Sequence, residues 1–228
     1  MSVPFLAKAA EQGNNPARKR GAKAQMSHFD VILFDVGGVL LTNGWDRGER
    51  AQVLEKFHLD CAALEARHLE PYRAWEKGEI TVECYLDASV FCEPRSFSRD
   101  EFFAAMCANS KPLPNGALGI LGELAASDKY MLGALNNEAR ETNEYRFRHF
   151  GLWNYFRVAL TSCYLGQRKP EPVIYQRALD ILGRPAERIL FIDDREDNVA
   201  AATAAGMKAL HFQGADALRR DMQRLGVL

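Results

Sequence analysis

The chain has 228 residues, 47% hydrophobic and 26% charged, which is enough apolar material for one domain or for a domain carrying a large insert. Its 29 basic and 30 acidic side chains leave a formal net charge of -1, so no global field favours nucleic acid or an anionic membrane, and no apolar run approaches the ~20 residues that cross a bilayer. Five cysteines (Cys61, Cys84, Cys92, Cys107, Cys163), an odd number without a C-x-x-C pair, argue against a metal or disulfide framework and for a reducing, cytoplasmic setting.

Residues 1–27 are rich in Gly, Asn, Ala and basic residues, with Lys8, Arg18, Lys19, Arg20 and Lys23 set against Glu11 alone. This composition predicts a solvated, mobile extension outside the fold, and Val3-Pro4-Phe5-Leu6 is too short for the apolar core of a signal peptide. Val31-Ile32-Leu33-Phe34 then reads as a strand buried on both faces. It ends on Asp35, and Gly37 and Gly38 follow, where a backbone without Cβ atoms can turn sharply beside a ligand.

Next comes a helical block. Asp46 to His58 and Asp60 to Glu76 carry helical apolar spacing, Thr81 suits the N-cap of a helix to Cys92, and Ser98 to Glu101 has the form of a capping box opening a helix through Cys107. From Pro114 onward helix and strand alternate. Helices are predicted over 116–127, 138–150, 172–182, 198–205 and up to Leu225, with strands over 129–135, 157–160, 188–192 and 208–212. Such alternation predicts an α/β fold, a doubly wound (Rossmann-like) parallel sheet with a helical bundle inserted after its first strand. The expected division is 28–43 and 112–228 for the α/β core and 44–111 for the bundle.

Polar residues recur at the carboxyl ends of the predicted strands: Asp35, then Asn136 and Asn137, then Asp193 and Asp194, with Lys169 opening the helix at Pro172. Ligands of open parallel sheets bind at these ends. Converging carboxylates repel one another, and a hard cation such as Mg²⁺ relieves them. An ammonium would offset an anionic substrate, and a carboxylate in line with a phosphoryl group can attack it. Singly, each residue has an ordinary structural use: Asp193 and Asp194 as N-caps, Asn136 and Asn137 as a turn, Lys169 as a solvated loop residue. Their common placement on one fold favours the functional reading.

The sequence resembles the haloacid dehalogenase-like hydrolase superfamily. Phe34-Asp35-Val36-Gly37-Gly38-Val39-Leu40 is similar to its first motif, Leu135-Asn136-Asn137 to its second, Arg168-Lys169-Pro170-Glu171-Pro172 to its third, and Phe191-Ile192-Asp193-Asp194 to its acidic fourth. Trp75-Glu76-Lys77-Gly78-Glu79-Ile80-Thr81 resembles part of the family's helical cap, and the nearest branch is the α-glucose-1-phosphatase-like one. The resemblance implies a Mg²⁺-dependent phosphatase working through an aspartyl-phosphate on Asp35. It implies Mg²⁺ on Asp35, the Gly37 carbonyl, Asp194 and Asp193, with phosphate contacts from Asn136, Asn137, Gly37, Gly38 and Lys169.

Two positions depart from the family pattern. Gly37 stands where most phosphatases of the superfamily carry a second Asp as general acid/base, and Asn136 replaces a hydroxyl residue. Asp46 and Glu138 are the first candidates to replace the missing acid. Without that acid a good leaving group is favoured, so the expected substrate is a small phosphorylated metabolite such as a sugar 1-phosphate. Alternatives are a 2-haloacid dehalogenase and a weakly active or inactive phosphate-binding protein. Trp45, Arg47, Tyr72, Arg73 and Trp75 are aromatic or basic candidates for substrate contact from the bundle, most of them expected as its core or surface residues, and the chain is expected to be a monomer or homodimer.

Overall fold

The computed structural model describes residues 28–228, so the expected mobile extension over 1–27 lies outside the described residues. Five strands form one parallel sheet: β1 (Val31–Phe34), β2 (Met131–Asn136), β3 (Val158–Thr161), β4 (Ile189–Asp193) and β5 (Lys208–His211), in the order β3-β2-β1-β4-β5. All four residues of β1 are buried, as an uninterrupted apolar strand with helices on both faces requires. Val31 pairs with Met131 on one side and Ile189 on the other, so β1 is central and the carboxyl ends of β1, β2 and β4 lie side by side. From β1 the chain moves outward through β2 and β3, then crosses to β4 on the opposite side of β1. The sheet is therefore doubly wound about this switch point, where a crevice opens.

Alternation along the strands sends side chains to two apolar layers. Ile32, Phe34, Ala134 and Ile192 pack against α5 (Leu118–Ser127), α6 (Arg140–His149) and α10 (Ala215–Arg224) through Leu121, Leu124, Phe147, Leu218 and Met222. Val31, Leu33, Leu135 and Phe191 pack against α8 (Pro172–Leu182) and α9 (Glu196–Ala204) through Ile174, Tyr175 and Ala202.

The insert consists of α1 (Arg47–Lys56), α2 (Cys61–Glu76), α3 (Val82–Ser89) and α4 (Arg99–Ala108), with an apolar cluster of its own. Asp46, Asp60 and Thr81 accept backbone N–H bonds at the starts of α1, α2 and α3, and Ser98 and Glu101 complete the capping box of α4. At the centre Trp75 stacks on Tyr85 with ring centroids 4.7 Å apart. The two chain segments joining insert to sheet are tied together: Thr42 N donates to Lys111 O at 2.9 Å, and Thr42 Oγ1 donates to Asn109 O at 2.7 Å.

Several details differ from the sequence expectations. Helix α9 starts at Glu196, two residues early, because Asp193 accepts the Arg195 N–H and turns the chain at once into the helix. Strand β2 begins at Met131 and extends through Asn136, held there by β3 pairing between Asn136 and Thr161. A short helix α7 (Ser162–Leu165) follows β3, closed by Gly166 at φ 65°, and no periodic signal in four residues marks it.

Candidate active site

Asp35 is the first residue beyond β1, and its backbone N–H donates to Ile192 O at 2.8 Å, continuing the ladder with β4. Asp193 is the last residue of β4. Lys169 reaches both from the loop before α8, its Nζ 2.9 Å from Asp35 Oδ2 and 2.6 Å from Asp193 Oδ2. That loop is fixed by Asn137, whose amide Nδ2 donates to Lys169 O and whose Oδ1 accepts from Lys169 N, both at 2.8 Å. One side chain thus pairs with a backbone as a neighbouring strand would.

The two adjacent acids have different surroundings. Asp193 is fully buried and well bonded, with Oδ2 on Lys169 and Oδ1 accepting from Arg195 N and Asn198 Nδ2, each at 2.9 Å. Burial acts to raise its carboxyl, but the Lys169 charge and these donors hold it below the usual carboxylate range. Asp194 is half-buried; burial and the neighbouring Asp193 charge raise its carboxyl. Asp35 is raised well above the usual range, first by burial and then by Asp193 and Asp194, against the pull of Lys169. Burial acts to lower the Lys169 ammonium, but its two partners Asp193 and Asp35 raise it.

One oxygen from each of Asp35, Asp193 and Asp194 falls within 4.8 Å of the others. Gly38 sits in the left-handed region at φ 72°, and a Cβ there would overlap the Asp194 carboxylate. The third acid therefore reaches the cluster only because position 38 has no side chain. Three carboxylates face one ammonium, and the donors are all oxygen. The residues present fit a hard divalent cation.

Of the expected site residues, Asp35, Gly37, Asn137, Lys169 and Asp194 line a cavity of about 730 Å³ between the sheet end and the insert. Asn136 is buried behind it, giving one amide hydrogen to Asn143 Oδ1 at 3.1 Å and accepting the Thr161 hydroxyl on Oδ1 at 2.9 Å. The insert contributes Arg47, Tyr72, Arg73 and the edge of the buried Trp45 to the wall. Trp75 does not reach the cavity: it is 1% exposed in the same core cluster as Trp45, and its indole N–H donates to Glu141 at 2.8 Å. Asp46 lines the cavity but is occupied as the α1 N-cap.

Sequence reasoning passed over His68, Glu76 and Arg146, all of which line the cavity. His68, Tyr72 and Glu76 recur every four residues on one face of α2, a spacing that could have marked them. Glu76 is buried with Oε2 2.6 Å from Arg168 Nε, and burial pushes its carboxyl up to about 6 despite Arg168. The His68 ring, bonded through Nδ1 to the Tyr85 hydroxyl at 2.9 Å, is depressed to about 4 by burial and then by Arg50, so it is neutral at pH 7. A depressed histidine contributes stability above its unfolded value that is lost as pH falls from about 6.5 to about 4. Melting curves across that window are expected to fall more steeply for wild type than for His68→Gln, by about 1–3 kcal/mol at the acid end. Parallel curves would show that the ring is free to protonate in the folded state.

A family model for haloacid dehalogenase-like hydrolases matches residues 29–206. The chain is 32% identical over 227 residues to the chloroplast flavin mononucleotide hydrolase 1 of Arabidopsis thaliana, covering 96% of this chain and 83% of that one. It is 37% identical over 216 residues to a phosphatase of Mycobacterium tuberculosis, covering 88% and 96%. A solved HAD family enzyme from Bacteroides thetaiotaomicron in complex with magnesium and inorganic phosphate shares the fold, with a TM-score of 0.69 at 24% identity over 82% of this chain and 95% of that one. The family match runs from the residues that open β1 to the Gly206 turn that leads into β5, taking in every strand end of the acidic cluster, and the chain belongs to the haloacid dehalogenase-like hydrolases.

Proposed function

We propose that this hydrolase is a Mg²⁺-dependent phosphatase of a small phosphate monoester, with Asp35 as nucleophile. The observation that carries the reading is the acidic cluster around Lys169: a carboxylate at the end of the central strand, an ammonium bonded to it, and two further acids on the adjacent strand. An oxygen of Asp35 bonds to phosphorus as the bond to the leaving oxygen breaks, and water then cleaves the aspartyl-phosphate. Lys169 supplies positive charge to the phosphoryl oxygens, and Asp193 acts by holding Lys169 in place. Asn137 works through the Lys169 backbone, while Asn136 supports the strand end from behind the cavity through Asn143 and Thr161. Mg²⁺ would be held by Asp35, the Gly37 carbonyl and Asp194, and when bound it supplies charge neutralisation at the phosphoryl group. Residues 44–111 act as a cap that closes the cavity and selects the substrate.

The absence of a side-chain acid at Gly37 favours a good leaving group, hence a sugar 1-phosphate. A second substrate, flavin mononucleotide, is favoured by the 730 Å³ cavity, which is roomy for a sugar phosphate, and by the name of the Arabidopsis relative. A 2-haloacid dehalogenase is disfavoured because Asp193 and Asp194 would repel a carboxylate substrate. The test is a panel of p-nitrophenyl phosphate, glucose 1-phosphate, flavin mononucleotide and 2-chloropropionate, with and without Mg²⁺. Phosphate release that needs Mg²⁺ is expected; chloride release, or Mg²⁺ binding with no turnover at all, would overturn the reading. In calorimetry Asp194→Asn should weaken Mg²⁺ by at least roughly tenfold, and wild-type affinity in that variant would remove Asp194 from the metal site.

A further inference from the structure

We infer that Glu138 is the general base of the second half-reaction, standing in for the acid missing at Gly37. This rests on the phosphatase reading above. A Cβ built on Gly37 would meet Asn43 Oδ1 at 2.9 Å and lie 3.6 Å from Arg146 Nη1, so an acid at position 37 would project beside a guanidinium. That same Nη1 donates to Glu138 Oε2 at 2.7 Å. The carboxylate that the motif lacks is thus supplied one residue beyond Asn137, across the cavity that Asp35 and Gly37 also line.

Glu138 is built to hold position. It is 7% exposed, its Oε1 accepts the Thr142 hydroxyl at 2.7 Å, and its backbone N–H donates to Ser162 Oγ at 2.9 Å. Arg146, 3% exposed, is fixed in turn by donating to Ser110 Oγ at 3.0 Å and to Thr42 O, in the two segments that join sheet and insert. Each Glu138 oxygen accepts one bond from these partners and keeps a lone pair for another donor. Asp46, another acid lining the cavity, is held by its Oδ1 at the start of α1, accepting the Gly48 and Glu49 N–H groups.

In the proposed step a water oxygen bonds to phosphorus, and the bond from phosphorus to Asp35 breaks with its electron pair returning to the carboxylate. The water proton passes to Glu138, which releases it to solvent as inorganic phosphate leaves. The first half-reaction receives no proton from position 37, so it remains sensitive to the leaving group.

Rapid-quench kinetics with p-nitrophenyl phosphate and Mg²⁺ test the inference. Glu138→Gln, of nearly the same shape, should release about one nitrophenol per enzyme at close to the wild-type rate and then slow by roughly 10²–10⁴-fold. Mass spectrometry of the quenched variant should find phosphate on Asp35. Glu138→Asp keeps the charge beside Arg146 but withdraws the base, and should show the same burst with a smaller slowing; it carries the test should the Gln variant not fold. Turnover at the wild-type rate without a burst, or an equal loss in burst and steady state, would overturn the role of Glu138 alone. No nitrophenol from wild type would overturn the phosphatase reading and this inference together.

Discussion

Asp35→Asn is expected to abolish phosphate release while leaving the fold as stable as wild type, or more so. The catalytic loss follows from chemistry: an amide oxygen is a poor nucleophile, and no other carboxylate at the site is free to take its place. Asp193 is fully buried and held by Lys169, Arg195 and Asn198, and Asp194 is wedged against Gly38. The stability gain follows from the field at the strand ends. Burial and two like charges raise the Asp35 carboxyl well above its ordinary value. A carboxyl raised on folding contributes stability at low pH that is lost as pH rises through its folded value. Asparagine removes that loss, and Lys169 keeps Asp193 as its partner at 2.6 Å. Without metal, the variant should therefore melt at or above the wild-type temperature at neutral pH. With millimolar Mg²⁺ the order should reverse, because a cation that binds the folded state stabilises it by mass action and the variant has lost a ligand. Turnover retained by Asp35→Asn would move the nucleophile elsewhere, and an unchanged Mg²⁺-induced rise in melting temperature would move the metal.

What was legible in the sequence is what local chemistry dictates. Four consecutive apolar residues before Asp35 announced a strand covered on both faces, and Asp46, Asp60, Thr81 and Ser98 announced helix starts because their caps lie within three residues. The strand-end position of Asp35, Asn136 and Asp193 followed from alternation alone. The divergent roles of Asp193 and Asp194 were not legible. Successive side chains at a strand end point to opposite sides, so one acid is buried against Lys169 while its neighbour faces the cavity. Nor did Asn137 reveal itself as a clamp, since its partner lies 32 residues away. Trp45 and Trp75 look alike in sequence, and packing buries both in the core of the insert, only Trp45 also reaching the cavity wall. Arg146 stayed hidden for the same reason: its position beside Gly37 depends on how α6 packs against the segments at Thr42 and Ser110.

Gly37→Asp is expected to flatten the dependence of the first chemical step on the leaving group. In wild type, departure of an alkoxide receives no proton from position 37, and general acid catalysis of this kind is worth roughly 10²–10⁴-fold. The ratio of kcat/KM for an aryl phosphate to that for an alkyl phosphate such as glycerol phosphate should therefore be large in wild type and fall by at least roughly tenfold in the variant. The backbone permits the change, because Gly37, unlike Gly38, does not occupy the left-handed region. Its new Cβ would meet Asn43 Oδ1 at 2.9 Å, the end of an exposed side chain that can swing away. The new carboxyl would, however, share Arg146 with Glu138, and the guanidinium favours its charged form. The gain for alkyl phosphates should consequently be partial and largest at acidic pH, where more of the carboxyl is protonated. The same substitution in the Glu138→Gln background should restore dephosphorylation, since an acid at either position can take the proton from water. Equal aryl-to-alkyl ratios in wild type and Gly37→Asp would mean that the wild-type chain already protonates its leaving group. Glu76, which is buried on the cavity wall with its carboxyl raised to about 6, would then be the residue to replace next.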